Sequence, residues 1–119
     1  MANYLLIAGL IHTYLVISEV NAQQYEGKIV GFWIDGNEIY EACQGNRVIC
    51  QWFITALSDT NSLYVGRGEL NESFCSPRGI TVDQLTDIFL QRLERHPENR
   101  HQPAALIATD ALISAFPCQ

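Results

Sequence analysis

The residues of this chain best suited to chemistry lie together in "RHPENRHQPAA", Arg95 to Ala105, where two histidines, two arginines and a glutamate fall among two prolines. Imidazole and carboxylate at this density could hold a zinc ion or move protons. His96, Glu98 and His101 are the candidate ligands. The spacing argues otherwise. There is no paired Cys/His finger spacing, no HExxH helix and no further His or Cys within the stretch to complete a tetrahedral shell. Pro97 discourages helical geometry at His96, and Pro103 suits the first turn of a following helix. His96, Pro97, Glu98, Arg100, His101 and Pro103 are therefore expected to form an interhelical turn, with Glu98 and Arg100 paired across it.

The other chemical options fail on the same test. No GxSxG, P-loop or GxGxxG stands in the chain after residue 22. The four cysteines, Cys43, Cys50, Cys75 and Cys118, have plausible disulfide partners, which leaves no free thiol for nucleophilic catalysis. Asp83 and Asp87, four residues apart, suit a solvated first helical turn. The expectation is a protein without catalytic residues, metal or cofactor, whose function is binding.

Composition bounds the partners. The chain has 119 residues, 48% hydrophobic and 17% charged, which is the make-up of one folded domain. A formal charge of −6 argues against a general nucleic-acid binder and against electrostatic attachment to an anionic membrane. Residues 1–22 read as a secretory signal peptide. Leu5–Ile17 is apolar but too short to span a bilayer comfortably, and Val20 and Ala22 suit the −3 and −1 positions of a cleavage site. Residues 23–119 would then form a single exported domain, with no membrane attachment once the signal is removed. An even cysteine count agrees with export.

The elements that must carry the turn read as an all-α, compact bundle of about four helices with two disulfides. Asp35 and Glu38 make a capping box for the first helix, with Ile34 and Ile39 placed as a hydrophobic staple. That helix is expected to end near Cys43, before Gly45. Asn46 caps a second, whose Val48, Ile49, Trp52, Phe53, Ala56 and Leu57 recur at helical spacing and predict its buried face. Trp33, Phe32, Trp52 and Phe53 are expected in the core. The second helix is expected to fray after Leu57, leaving a long loop from Asp59 to Ser76. Thr81 and Gln84 box the third helix, with Val82, Leu85, Ile88, Phe89 and Leu93 on one face and its end at His96. The fourth carries Leu106, Leu112, Ile113 and Phe116 on one side, and small alanines that let neighbours approach. A short turn brings Cys43 to Cys50, and an antiparallel hairpin brings Cys75 to Cys118. The second pair closes the longer loop and contributes about 3–4 kcal/mol in the chain-entropy model.

Phe74 to Cys118 also resembles a known family. Phe74, Cys75, Pro77, Gly79, Thr81, Gln84 and Leu85 match FC-x-P-x-G-[VI]-T-x-x-Q-L. His96, Pro97, Glu98, Arg100, His101, Pro103 and Ala104 match HPE-x-RH-x-PA, and Ala115 to Cys118 match AFPC. The stretch is similar to the Rap/Tai immunity proteins. Cys43, Cys50 and Asp59 fit the family's first half, whereas Trp52 and Ala56 stand at its glycine positions and Phe53 at its tyrosine. The resemblance implies a periplasmic, often homodimeric protein that binds a cognate peptidoglycan amidase effector of type VI secretion and blocks its Cys/His groove. The Asp59–Ser76 loop is the expected contact, through Asn61, Ser62, Tyr64, Arg67 and Glu69, with a plain connector as the equal alternative for that loop. A periplasmic acid-stress chaperone is the competing function.

Overall fold

The structure is a computed structural model, and it describes residues 33–119. The expected signal peptide and Phe32 lie outside them. Four α-helices follow in order: α1, Gly36–Gly45; α2, Arg47–Gly66; α3, Val82–Arg95; and α4, Ala104–Ala115, with a short 3-10 turn at Pro97–Asn99 before α4. The described residues form no strand beyond one isolated bridge between Asp35 and Pro103. Each helix packs chiefly on its neighbour in sequence, α1 on α2, α2 on α3 and α3 on α4.

The helix starts are set locally. Asp35 Oδ1 accepts from the Glu38 N–H while Glu38 Oε2 accepts from the Asp35 N–H, both at 2.9 Å. Thr81 and Gln84 form the same reciprocal box at α3. Asn46 Oδ1 accepts the Val48 N–H and starts α2 one residue after α1 ends. Each cap satisfies donors that have no intrahelical acceptor.

The core lies along the inner faces of all four helices. Ile39 and Cys43 of α1 meet Cys50 and Ile54 of α2, Leu85, Phe89 and Leu93 of α3, and Ala104, Ile107, Ala108 and Leu112 of α4. Phe53 stacks on Phe89 with ring centroids 5.5 Å apart. The Cys43–Cys50 and Cys75–Cys118 disulfides are both present.

Two helices present a different face from the one their apolar spacing suggests. In α2, Cys50 and Ile54 are fully buried and Phe53 and Leu57 border the core, but Val48, Ile49 and Trp52 are exposed, Trp52 by 72%. The bond to Cys43 turns Cys50 toward α1, and that fixes which side of α2 is inside. Trp33 is also exposed rather than in the core. In α4, Leu106 and Ile113 face outward while Ala104, Ala108 and Ala111 are buried. Apolar residues surround α4, so periodicity alone gives it no phase. Close approach of α3 selects the alanine side. On α3, Val82 is exposed as well.

The expected Asp59–Ser76 loop is helical over its first half. Helix α2 continues through Asp59, Asn61 and Tyr64 to Gly66. It closes where Gly68, at φ +73°, lets its own N–H donate to the Val65 carbonyl and the Glu69 N–H donate to the Tyr64 carbonyl, both at 2.9 Å. This is a Schellman closure, in which glycine supplies the left-handed residue. Weak helix formers at Ser58–Ser62 suggest fraying, but Leu57 packs on the core and the closure at Gly68 satisfies the last carbonyls, so the helix runs past them.

The turn after α3 holds α1. The Gly36 N–H donates to the Gln102 carbonyl at 2.9 Å, the Asn37 N–H to the Arg100 carbonyl at 3.0 Å, and the Ala104 N–H to the Ile34 carbonyl at 3.0 Å. A Cβ on Gly36 would stand 2.5 Å from Ile107 Cδ1 and 2.7 Å from the Arg100 carbonyl oxygen. Backbone meets backbone there, so neither side can yield cheaply. Gly36→Ala should destabilise the protein by about 2–3 kcal/mol, and a thermal melt showing an unchanged midpoint would contradict the close approach. The disulfides should differ in the same assay. Their sequence separations of 7 and 43 predict losses of about 2.4 kcal/mol for Cys43→Ser/Cys50→Ser and about 4 kcal/mol for Cys75→Ser/Cys118→Ser.

Candidate functional site

Extension of α2 creates a groove. Phe53, Ala56, Leu57, Thr60, Asn61 and Tyr64 of α2 form one wall, Leu70 and Phe74 of the following segment a second, and Ala105 and Thr109 of α4 a third, around about 510 Å³. The lining is mainly apolar. Thr109 donates its hydroxyl to the Ala105 carbonyl at 2.8 Å, so that polar atom is satisfied within the helix. Two contacts hold the second wall. Leu70 folds back with its N–H on the Tyr64 carbonyl at 3.3 Å. Beyond it, Phe74 is buried and the Cys75 N–H donates to the Phe116 carbonyl at 2.8 Å, beside the Cys75–Cys118 bond. Leu63, Tyr64 and Leu70 remain exposed, which leaves aromatic and aliphatic surface open at the groove and beside it.

Of the five contact residues expected from sequence, Asn61 and Tyr64 line this groove. Ser62 is exposed on α2 outside it. Arg67 and Glu69 lie beyond the helix end, paired to each other at 2.6 Å. Of the other lining residues, Thr60, Leu70 and Phe74 fall in the expected Asp59–Ser76 segment without having been singled out, and Phe53, Ala56, Leu57, Ala105 and Thr109 lie outside it. The spacing of Leu57, Asn61 and Tyr64 was the available signal, because it continues the helix and puts all three on one side.

The turn that looks most chemical is occupied with itself. His96 Nδ1 lies 3.1 Å from Glu98 Oε1, and His101 Nδ1 lies 2.9 Å from the Glu98 carbonyl oxygen. Glu98 thus pairs with His96, not with Arg100. Arg100 instead donates Nε to the Leu93 carbonyl at 2.7 Å and places its guanidinium 3.7 Å over the Tyr40 ring. One cluster of potential metal ligands occurs among the described residues, Glu72 with Cys75 and Cys118. Its two sulfurs are bonded to each other and offer no thiolate.

Among the described residues, no nucleophile, base and oxyanion site are brought together. The fold offers a rigid surface with an apolar groove, which suits recognition of another macromolecule. The chain matches the family model described as "Rap1a immunity proteins" over residues 35–118. It belongs to that family. No curated protein and no solved structure matched. Rap1a immunity proteins are inhibitors and not enzymes, so this chain binds a cognate effector. The match begins at the Asp35 cap and ends at Cys118, and so takes in all four helices and both disulfides. No described helix is long and apolar enough to cross a membrane.

The turn makes one electrostatic prediction for this Rap1a family member. Glu98's carboxyl is held below its ordinary 4.5, first by a hydrogen bond from its own backbone N–H and next by the His96 side chain, with the charges of His96 and Arg92 adding to both. A depressed carboxyl stabilises the fold above its unfolded value, and that contribution disappears as pH falls through the folded value, here below 4.5. Glu98 is fully exposed, so the contribution is small. In an NMR titration of the side-chain carboxyl, the midpoint should lie below 4.5 and rise only part-way in His96→Ala, because the backbone contact remains. A midpoint that does not move in that variant would exclude His96 as a cause.

Proposed function

We propose that this protein is a periplasmic immunity protein that binds a peptidoglycan amidase effector of type VI secretion and inhibits it by covering its Cys/His active-site groove. In this reading residues 1–22 direct export and are removed, and residues 23–119 act in the periplasm, as a homodimer. The observation that carries the proposal is the family match over residues 35–118. The paired cysteines support an oxidising compartment. The exposed Val48, Ile49 and Trp52 on α2 supply apolar surface suited to a second copy.

The effector contact is proposed at the C-terminal end of α2 and the turn after it, through Asn61, Ser62, Tyr64, Arg67 and Glu69. Tyr64 is the anchor in this account. Its ring borders an apolar groove while its hydroxyl can bond across an interface, and tyrosine is enriched among residues that dominate binding energy. Glu69 holds Arg67 in one orientation, which lowers the entropy lost when the guanidinium meets a carboxylate on the partner.

The test is inhibition of the cognate amidase in a peptidoglycan-hydrolysis assay with purified components. Stoichiometric inhibition is expected, and Tyr64→Ala should weaken it by about 30-fold, with Asn61→Ala weaker in effect. Full hydrolysis in the presence of excess protein would defeat the amidase reading. Undiminished inhibition by both variants would leave that reading standing and move the contact elsewhere on the surface.

A further inference from the structure

Six arginines stand among the described residues. Arg47 bonds Asp87 at 2.7 Å, Arg67 bonds Glu69, and Arg100 is held by the Leu93 carbonyl and the Tyr40 ring. The other three, Arg78, Arg92 and Arg95, form no ion pair or side-chain hydrogen bond with any described residue. All three line the same side of the molecule. Arg92 and Arg95 border a hollow of about 260 Å³ against Ser114 and Ala115 of α4. Arg78 borders a second, of about 480 Å³, reaching Gln84 and Phe116. Ile88 belongs to both, so they form one trough beside α3, bordered by three arginines and by one carboxylate, Asp87.

We propose that this trough binds an acidic, extended segment of a protein partner, whose carboxylates meet the three guanidiniums while alternate apolar side chains lie over Ile88 and Phe116. The competing electrostatics leave the trough positive. Arg92 and Arg95 are in the last turn of α3, whose macrodipole supplies about half a negative charge at most. Two of that turn's carbonyls already accept bonds, Arg92 from the His96 N–H and Leu93 from Arg100 Nε. Two guanidiniums therefore outweigh it. Asp87, the one acid in the lining, is neutralised by Arg47 at 2.7 Å, and Glu98 in the adjoining turn pairs with His96.

Carboxylates suit the trough better than a nucleic-acid backbone does. Three cations on a chain of net charge −6 cannot hold a dense run of phosphates, and arginine forks take carboxylates in bidentate pairs. The size agrees as well. The 14 residues of α3 extend about 21 Å, the reach of about six residues of extended peptide. The trough meets α4 at Ala111, Ser114 and Ala115, a different side from the Ala105 and Thr109 that border the apolar groove. It therefore does not depend on the amidase reading.

The experiment is fluorescence anisotropy of the full chain, at low salt, with a labelled peptide of about six residues alternating glutamate and leucine. Saturable binding is expected, with no saturable binding of the same peptide carrying glutamine for glutamate. Arg92→Gln/Arg95→Gln should weaken binding by about tenfold or more, and Arg78→Gln by about threefold. Ala115→Leu, at an exposed position, narrows the trough without touching a charge and should also weaken it. Equal binding of the glutamine peptide, or undiminished binding by the double variant with its helical spectrum intact, would overturn the proposal.

Discussion

The fold depends on a single meeting of two backbones, where Gly36 at the start of α1 lies against Arg100 and Gln102 after α3. An isolated helix of ten residues is marginal in water. Here the first two helical N–H groups of α1 end on carbonyls of the turn, and the third ends on the Asp35 side chain. Arg100 serves both partners at once. Its carbonyl accepts from α1, its Nε donates to a carbonyl near the end of α3, and its guanidinium covers Tyr40 of α1. Only a residue without a side chain at Gly36 admits that distance, and the planar guanidinium of Arg100 bonds one helix while stacking on another.

With the turn clasped to α1, each disulfide has a distinct task. Cys43–Cys50 joins helices already consecutive, so its loop is short and its main effect is to set the face of α2. Cys75–Cys118 ties the segment before α3 to the residues after α4. That bond holds Phe74 inward and gives the apolar groove its second wall. Groove and bond are thus linked mechanically, although the nearest cysteine lies outside the lining.

Features with a local cause were legible in the sequence. The capping boxes at Asp35 and Thr81, the Asn46 cap, the prolines around the turn and both cysteine pairings rest on contacts between near neighbours or helix ends, and the structure has each of them. Helix phase was not legible. Trp52 satisfies apolar periodicity as well as Phe53 does, and only the orientation of Cys50 decides which is outside. In α4 the preference for buried alanines over Leu106 comes from how closely α3 approaches. The end of α2 was hidden by Ser58–Ser62, whose poor helix propensity is offset by Leu57 on the core before them and by the closure at Gly68 after them. The expected Glu98–Arg100 pair failed for a similar reason. A carbonyl and an aromatic ring from other elements compete for the guanidinium, and neither is visible in the turn itself.

The same distribution separates an inhibitor from an enzyme. Catalytic groups must keep a proton or lone pair available to a substrate, and their environments are arranged to hold it there. Among the described residues, the imidazoles of His96 and His101 each have Nδ1 on Glu98, the thiols are bonded to each other, and Arg100 lies on backbone and ring. The surfaces left open are of another kind, an apolar groove at Tyr64 and a trough bordered by three arginines that no described residue pairs. Such surfaces gain free energy by being covered, which is the physical requirement for a protein that acts by binding. A turn rich in histidine and arginine can therefore sit in a non-catalytic fold, because its backbone carbonyls and Arg100 join two helices while Glu98 engages both imidazoles.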